Sequence, residues 1–133
     1  MNVPPELKYT KSHEWVKIEG KVATTGITEF AVKALSDLVY VDLPEIADLT
    51  EKGHPYAEVE SVKAVADVMA PISGEVEEIN EAVVDNLEFL SDDPYGKGWL
   101  AKLTISYPDE LEKLISAEEY EKHLEQEEKA GGH

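Results

Sequence analysis

Short segments between residues 14 and 105 place apolar residues at alternate positions, a pattern typical of half-buried β-strands. Most of these segments stop at a Gly, Pro or Asn, residues that favour turns. Strands are therefore predicted at residues 14–19, 21–25, 38–43, 56–61, 65–70, 75–79 and 99–105. The first two strands predict a hairpin around Glu19-Gly20, and the fourth and fifth predict a second hairpin with Lys63 near its tip.

One short helix is predicted inside the β region. Thr28 is placed to cap a helix at residues 29–35, which carries apolar residues on one face. Residues 49–55 are predicted to be a loop. Residues 80–98 are polar and irregular, and their Asp-Asp-Pro-Tyr-Gly run is a strong loop signal.

The pattern changes beyond Pro108, where apolar spacing fits one helical turn. Ser116 then opens a capping-box sequence for a second helix that runs toward Glu128. We therefore expect all 133 residues to form one mainly β domain. Its core, a sandwich or flattened barrel, covers about 8–106, and a helical appendix covers about 108–128.

The net charge and the absence of cysteine argue against several classes of function for this chain. The formal net charge is −17, and all 12 basic residues are lysine. Such a chain repels phosphate, so nucleic-acid binding and attachment to an anionic membrane surface are not expected, whereas a basic partner protein would be attracted. Cysteine is absent, which leaves no thiolate or disulfide of the chain itself. The first residues resemble neither a signal nor a transit peptide, which favours a prokaryotic cytoplasm, or a mitochondrial matrix if a transit peptide has been removed.

No catalytic or metal site is predicted. No two histidines are spaced i, i+4, and none belongs to a recognisable metal-ligand pattern. Ser12, His13 and Glu14 are triad residue types, but on a strand His13 would point away from its two neighbours. The histidines are His13, His54, His123 and His133.

The predicted hairpin tip displays Lys63, which is either a solvated surface charge or the anchor of a covalently attached cofactor. The residues around it are Glu60-Ser61-Val62-Lys63-Ala64, with Gly74 eleven positions after the lysine. This arrangement resembles the lipoyl-lysine site of lipoylated carrier domains. A biotin carrier would normally have Met on both sides of the lysine.

Several further blocks, in order along nearly the whole chain, make the resemblance more specific. Together with Glu-Ser-Val-Lys-Ala they resemble the H proteins of the glycine cleavage system. The blocks are Tyr-Thr-Lys-Ser-His-Glu-Trp-Val at 9–16, Val-Ala-Thr at 22–24, Gly-Ile-Thr at 26–28, Asp-Leu-Val-Tyr-Val-Asp-Leu-Pro at 37–44, Ala-Pro-Ile-Ser-Gly-Glu-Val at 70–76 and Asp-Pro-Tyr-Gly-Lys-Gly-Trp-Leu at 93–100.

The resemblance implies a lipoyl/biotinyl-type flattened barrel-sandwich hybrid with lipoate amide-linked to Lys63. It implies that Glu60 and Gly74 frame the hairpin for a lipoate-attaching enzyme. The protein would be a non-catalytic carrier whose arm visits three enzymes. These are a glycine decarboxylase (P protein), an aminomethyltransferase (T protein) and a dihydrolipoamide dehydrogenase (L protein).

The resemblance also implies that Ser12, Glu14 and Asp67 lie near the docked arm, with Glu14 as the main polar contact to the aminomethyl group. Three positions depart from the family pattern. They are Ser36 in place of a common glycine, Ala34 where some members have histidine, and Leu87 in place of a frequent proline. If position 36 requires a positive φ, serine costs about 1 kcal/mol there.

Two alternatives stay open. One is a lipoate relay or regulatory protein, which would keep Lys63 modified but pass the lipoyl group to other enzyme complexes. The other is an unmodified binding module with an acidic surface. Four aromatic residues are interpreted as core or loop anchors and not as cofactor contacts: Trp15, Tyr40, Tyr95 and Trp99.

Overall fold

The structure is a computed structural model that describes residues 2–130. Within these residues, two antiparallel sheets form the body of the molecule. The nine strands are β1 (Lys8–Tyr9), β2 (Glu14–Glu19), β3 (Val22–Ile27), β4 (Leu38–Asp42), β5 (Leu49–Thr50), β6 (Pro55–Ser61), β7 (Val65–Met69), β8 (Gly74–Ile79) and β9 (Ala101–Ile105). The larger sheet has the order β1-β2-β3-β9-β8-β5, and the smaller has the order β4-β6-β7. The prediction of a mainly β chain is confirmed.

Helices connect or flank the strands. They are α1 (Glu29–Leu35), α2 (Ala82–Asp85), α3 (Glu88–Asp92), a 3-10 helix (Pro108–Lys113) and α4 (Ala117–Ala130). Thr28 caps α1, since its side chain accepts a hydrogen bond from the Ala31 amide. The predicted capping box is also present, because the amide of Glu119 donates to Ser116 and the Glu119 carboxylate accepts from Ser116. None of the helices in this part of the chain is long and apolar enough to cross a membrane.

Alternation along the strands decides which face is buried. In the three-stranded sheet, Val41, Val59 and Val68 point into the core and pack with residues of α1, α2 and α3. In the six-stranded sheet, Val16, Val76 and Leu103 do the same within a second apolar cluster. The inner face of each sheet is therefore apolar, and the outer face of the smaller sheet remains available to solvent.

A third apolar cluster attaches α4 to the sheet. The rings of Tyr9 and Tyr120 stack with centroids 4.8 Å apart, and both side chains are fully buried. Leu124 and Trp15 belong to the same cluster. Most acidic residues of α4 thus lie on its outer face, and the helix is packed on β1 and β2 instead of projecting from them.

Several local predictions differ from the structure. Residues 49–55, predicted to be a loop, contain β5 and the start of β6, and residues 80–98 contain α2 and α3. His13 precedes β2 in a turn with φ of 75°, and its ring contacts Tyr120 and Glu127 instead of Ser12 and Glu14, as expected. Tyr40, interpreted as an anchor, is 49% exposed on β4, whereas Trp15 is buried as expected. Non-local pairing explains β5, since it pairs with β8 and two residues give no periodic signal.

Ser36 occupies the position after α1 at which glycine was expected. Its φ of 64° and ψ of −140° lie in a region that favours glycine. The amide of Ser36 donates to the carbonyl of Val32, which closes the last turn of α1. The serine therefore holds a strained backbone at the start of the segment that leads into β4.

Candidate functional site

Lys63 lies at the tip of the β6–β7 hairpin with its side chain exposed. Ser61 closes the tip through its backbone and its hydroxyl. The Ser61 amide donates to the Ala64 carbonyl at 2.8 Å, the Ala64 amide donates to Ser61 Oγ at 3.1 Å, and Ser61 Oγ donates to the Ala64 carbonyl at 3.2 Å. The backbone under the lysine is therefore fixed by a residue that is itself buried.

A second contact fixes the tip from outside the hairpin. The amide of Val62 donates to the carbonyl of Asp37, which directly follows Ser36, at 3.0 Å. None of the ion pairs within residues 2–130 involves Lys63. The chain thus holds the base of the lysine and leaves its long side chain free to move.

The outer face of the smaller sheet begins beside this tip. Glu60 pairs in register with Tyr40 of β4 on one side and with Val65 of β7 on the other. Tyr40 and Val65 are 49% and 57% exposed, and Val62 at the tip is 71% exposed. The glutamate is thus flanked by accessible apolar side chains, an arrangement that an approaching protein can contact.

The next row of the same face is acidic. Asp42, Glu58 and Asp67 stand opposite one another across the three strands. They line a groove of about 480 Å³ together with Asp48 and Glu51. Like charges directly opposite in a sheet repel each other, so this row costs stability and attracts a cation.

Gly74 is buried at the first position of β8. A Cβ at this position would lie 2.5 Å from the carbonyl oxygen of Thr104 on β9, which is too close for any other residue. The preceding turn is held by Glu110 of the 3-10 helix, whose carboxylate accepts from the amide and the hydroxyl of Ser73. Gly74 is therefore required for close strand pairing and is not presented to solvent.

Glu14 lies at the start of β2 with only 2% of its surface exposed. Its Oε1 accepts hydrogen bonds from Thr10 Oγ1 at 2.6 Å and from Ser12 Oγ at 2.5 Å. Its Oε2 accepts from the amide of Met69 at 3.3 Å. Burial raises the pKa of Glu14 above its usual value, and these three hydrogen bonds act in the opposite direction.

This carboxylate joins the two sheets, because Met69 ends the strand that begins next to Lys63. Ser12 is exposed and lines a cleft of about 410 Å³, whose wall also includes Met69 and Ala70. The Ser12 hydroxyl therefore faces the cleft, and the Glu14 carboxylate lies behind it. Of the predicted arm contacts, the structure brings Ser12 and Glu14 together, whereas Asp67 lines the separate acidic groove.

Sequence reasoning missed two members of this network. Thr10 was not singled out, although Thr-x-Ser-x-Glu places three polar side chains at alternate positions on one side of the chain. The Met69 amide could not be found from sequence, because its contact with Glu14 spans 55 residues.

Two of the histidines, His13 and His123, belong to a cluster of possible metal ligands that the sequence pattern did not predict. Ligand atoms of His13, His123 and Glu127 lie within 4.8 Å of one another. Their sequence separation hid this, and the one available signal was the i, i+4 spacing of His123 and Glu127 on α4. Burial lowers the pKa of His13, although the nearby Glu127 carboxylate opposes this shift.

Comparison with known proteins gives one consistent result. A family model described as "Glycine cleavage H-protein" matches residues 7–127. The chain is 48% identical over 125 residues to the glycine cleavage system H protein of Carboxydothermus hydrogenoformans, covering 94% of this chain and 96% of that protein. It is 52% identical over 126 residues to the H protein of Herpetosiphon aurantiacus, covering 95% and 96%.

A solved structure extends the similarity to three dimensions. The crystal structure of a glycine cleavage system H protein from Mycobacterium marinum aligns with a TM-score of 0.79 at 39% identity. The alignment covers 89% of this chain and 95% of that chain. The predicted mainly β, lipoyl-type fold with short helices and a C-terminal helix is therefore confirmed.

Proposed function

Because the chain belongs to the glycine cleavage H-protein family, we propose that it carries the aminomethyl group of glycine on a lipoyl arm attached to Lys63. Family membership supports the broader role, a lipoyl carrier of the glycine cleavage system that is not itself an enzyme. In the proposed cycle it receives the group from the P protein, delivers it to the T protein and passes electrons to the L protein.

The exposed lysine on a fixed hairpin tip is the observation on which this proposal depends. Lys63 meets the requirements of an attachment site, since its amine is accessible and its backbone is held through Ser61 and Val62. The chain has no cysteine of its own. When bound, a lipoyl group would supply the disulfide–dithiol chemistry that the chain lacks.

The outer face next to the tip is the proposed recognition surface for the lipoate-attaching enzyme. Glu60 offers a charge between the exposed side chains of Tyr40 and Val65. Gly74 contributes indirectly, because it allows β8 to approach β9 and so holds the turn that follows β7. In this proposal the attaching enzyme recognises the shape of the hairpin as well as the lysine.

The proposed binding place for the aminomethyl group is the cleft beside Ser12. The protonated amine is a cation, and Ser12 Oγ can accept a hydrogen bond from it while donating its own proton to Glu14. The buried Glu14 carboxylate behind Ser12 would attract this positive charge and oppose the three lysines of the cleft wall, Lys11, Lys52 and Lys113. Asp67, in the acidic groove, would attract the same cation as the arm approaches.

The net charge of −17 supports docking of partners through basic surfaces. We also treat the chain as a single carrier domain in which the C-terminal helices form an appendix packed on β1 and β2. The relatives named above are bacterial, which agrees with the proposed location in a prokaryotic cytoplasm.

Mass spectrometry of the protein from its native host tests the attachment. We expect a lipoyl-sized increment on the peptide that contains Lys63, and an unmodified Lys63 in cells that lipoylate other proteins would contradict the proposal. That second result would favour an unmodified binding module.

Incubation of the lipoylated protein with the P protein, pyridoxal phosphate and glycine tests the carrier role separately. We expect decarboxylation of glycine and an aminomethyl increment on the lipoyl peptide. Lipoylation without aminomethyl loading would instead support the lipoate relay. Release of the loaded group by the T protein and reoxidation by the L protein complete the test of the three partners.

A further inference from the structure

The cluster formed by His13, His123 and Glu127 lies at the junction between α4 and the turn before β2. Glu127 Oε2 is 3.0 Å from His13 Nε2, and Glu127 Oε1 is 3.0 Å from His123 Nε2. The two histidine side chains are only 16% and 19% exposed, and that of Glu127 is 37% exposed. The three groups thus form a compact, partly enclosed set that opens to solvent on the carboxylate side.

A carbonyl oxygen adds a fourth potential ligand. The Lys11 carbonyl lies 3.0 Å from His123 Nε2, on the same turn that carries His13. The set therefore offers two imidazole nitrogens, one carboxylate and one carbonyl. Two histidines and one glutamate are a known protein donor set for zinc, whose fourth position is filled by another oxygen.

The separations between these atoms suit a metal ion. Four ligands placed tetrahedrally at 2.0–2.1 Å from zinc are about 3.3 Å apart. The ligand atoms of His13 and His123 lie within 4.8 Å of each other. The Glu127 oxygens lie 3.0–3.2 Å from Nε2 of His13 and of His123, so these contacts need to widen by only a few tenths of an ångström. Side-chain rotation of the half-exposed Glu127 can supply this movement.

The surroundings of His13 also match those of a metal ligand. Its Nδ1 lies 2.8 Å from the hydroxyl of the buried Tyr120, and that hydroxyl lies 2.7 Å from Thr28 Oγ1. If Nδ1 donates to Tyr120, the lone pair of Nε2 points toward Glu127 and is free to bind a metal. The ring of Phe30, centred 4.6 Å from that of His13, further restricts its orientation.

We propose that His13, His123 and Glu127, together with the Lys11 carbonyl or a water molecule, bind one divalent transition-metal ion, with Zn²⁺ as the best match. The ion would fasten α4 to the turn that carries Ser12 and leads into Glu14 of β2. This site does not involve the lipoyl arm, so metal binding can be tested on the unlipoylated protein. The result of that test does not depend on whether the proposed carrier function is correct.

The test is a zinc titration of the full chain after treatment with a chelator, followed by calorimetry. His133 is replaced by alanine in every sample, because a terminal histidine can bind metal by itself. We expect one zinc per chain, and at least about tenfold weaker binding in H123Q and in E127Q, since losing a ligand should cost no less than losing its supporting contacts. H54A is the matched control, because His54 also lies beside a glutamate, Glu51, but outside the cluster.

Two further readouts separate a metal site from a loss of structure. In long-range ¹H–¹⁵N spectra, the ring nitrogen chemical shifts of His13 and His123 should change when zinc is added, whereas those of His54 should not. Zinc should raise the melting temperature of the parent and H54A proteins more than that of E127Q, which keeps the shape of the side chain but binds zinc more weakly. Equal zinc affinity in the parent, H123Q and E127Q proteins would overturn the proposal and leave the cluster as a hydrogen-bonded contact only.

Discussion

The β2–β3 and β6–β7 hairpins each place a lysine near the tip, but they are built differently. At the β2–β3 tip, Gly20 has a φ of 63° and a Cβ added there would meet nothing within 4 Å. At the β6–β7 tip neither Val62 nor Lys63 has a positive φ, and hydrogen bonds from Ser61 and to Asp37 hold the backbone. A simple reversal of the chain needs only a flexible residue, whereas a displayed attachment residue needs contacts that fix its position.

Exchange of each tip lysine for arginine gives the largest expected difference between the hairpins. K63R should lose lipoylation and all glycine-dependent activity, because arginine cannot form the amide. K21R at the other tip should retain both. Peptide mass mapping and the P-protein decarboxylation assay measure the two effects, and urea unfolding should give the same stability for both variants. Activity that persists in K63R would mean that the arm is attached elsewhere.

Substitutions that destabilise the two hairpin tips by a similar free energy test whether only the β6–β7 tip must be held in a fixed position. S61A removes two hydrogen bonds of the Ser61 hydroxyl and should destabilise the protein by about 1–2 kcal/mol. G20A forces alanine into a left-handed conformation and should cost about 1 kcal/mol. Urea unfolding measures both losses.

Only S61A should slow the attachment of lipoate, because only this variant releases the backbone beside Lys63. The rate is measured with purified attaching enzyme at a temperature at which both variants are fully folded. Equal rates of lipoate attachment for S61A and G20A would show that the enzyme recognises the residues around Lys63 without requiring a fixed hairpin tip.

S36G tests the segment that supports the lysine tip. Ser36 has a φ of 64°, and glycine adopts this conformation without steric cost, so we expect unfolding to require about 1 kcal/mol more. S91A, at an exposed serine within α3, should be nearly neutral and serves as the control. A loss of stability in S36G would mean that the serine side chain makes a favourable contact that outweighs the backbone strain.

E58Q gives the smallest expected effect and tests the acidic row of the β4-β6-β7 sheet. Removing the central charge between Asp42 and Asp67 should raise the free energy of unfolding by about 0.2–1 kcal/mol at low salt. The gain should shrink as salt is added, since screening weakens the repulsion. An equal gain in 1 M salt would point to packing instead of charge.

The local pattern of apolar and polar residues was enough to predict most of the β-strands and α1. Both signals, alternation in a strand and a capping residue before a helix, depend only on residues that are close together in the sequence. It failed for β5 and for α2 and α3, whose few residues depend on partners elsewhere in the chain. Tyr40 was wrongly interpreted as an anchor, since an aromatic residue in a strand gives no sign of which face it occupies.

The sequence by itself determined the family, the mainly β class, the lysine at a hairpin tip and the absence of cysteine. These depend on residue identity and on short spacings. Only the tertiary structure decided that Glu14 is buried against the Met69 amide, that Asp67 belongs to an acidic row, and that His13 meets α4. Such contacts join residues up to 114 positions apart, and their formation depends on how the sheets and helices pack.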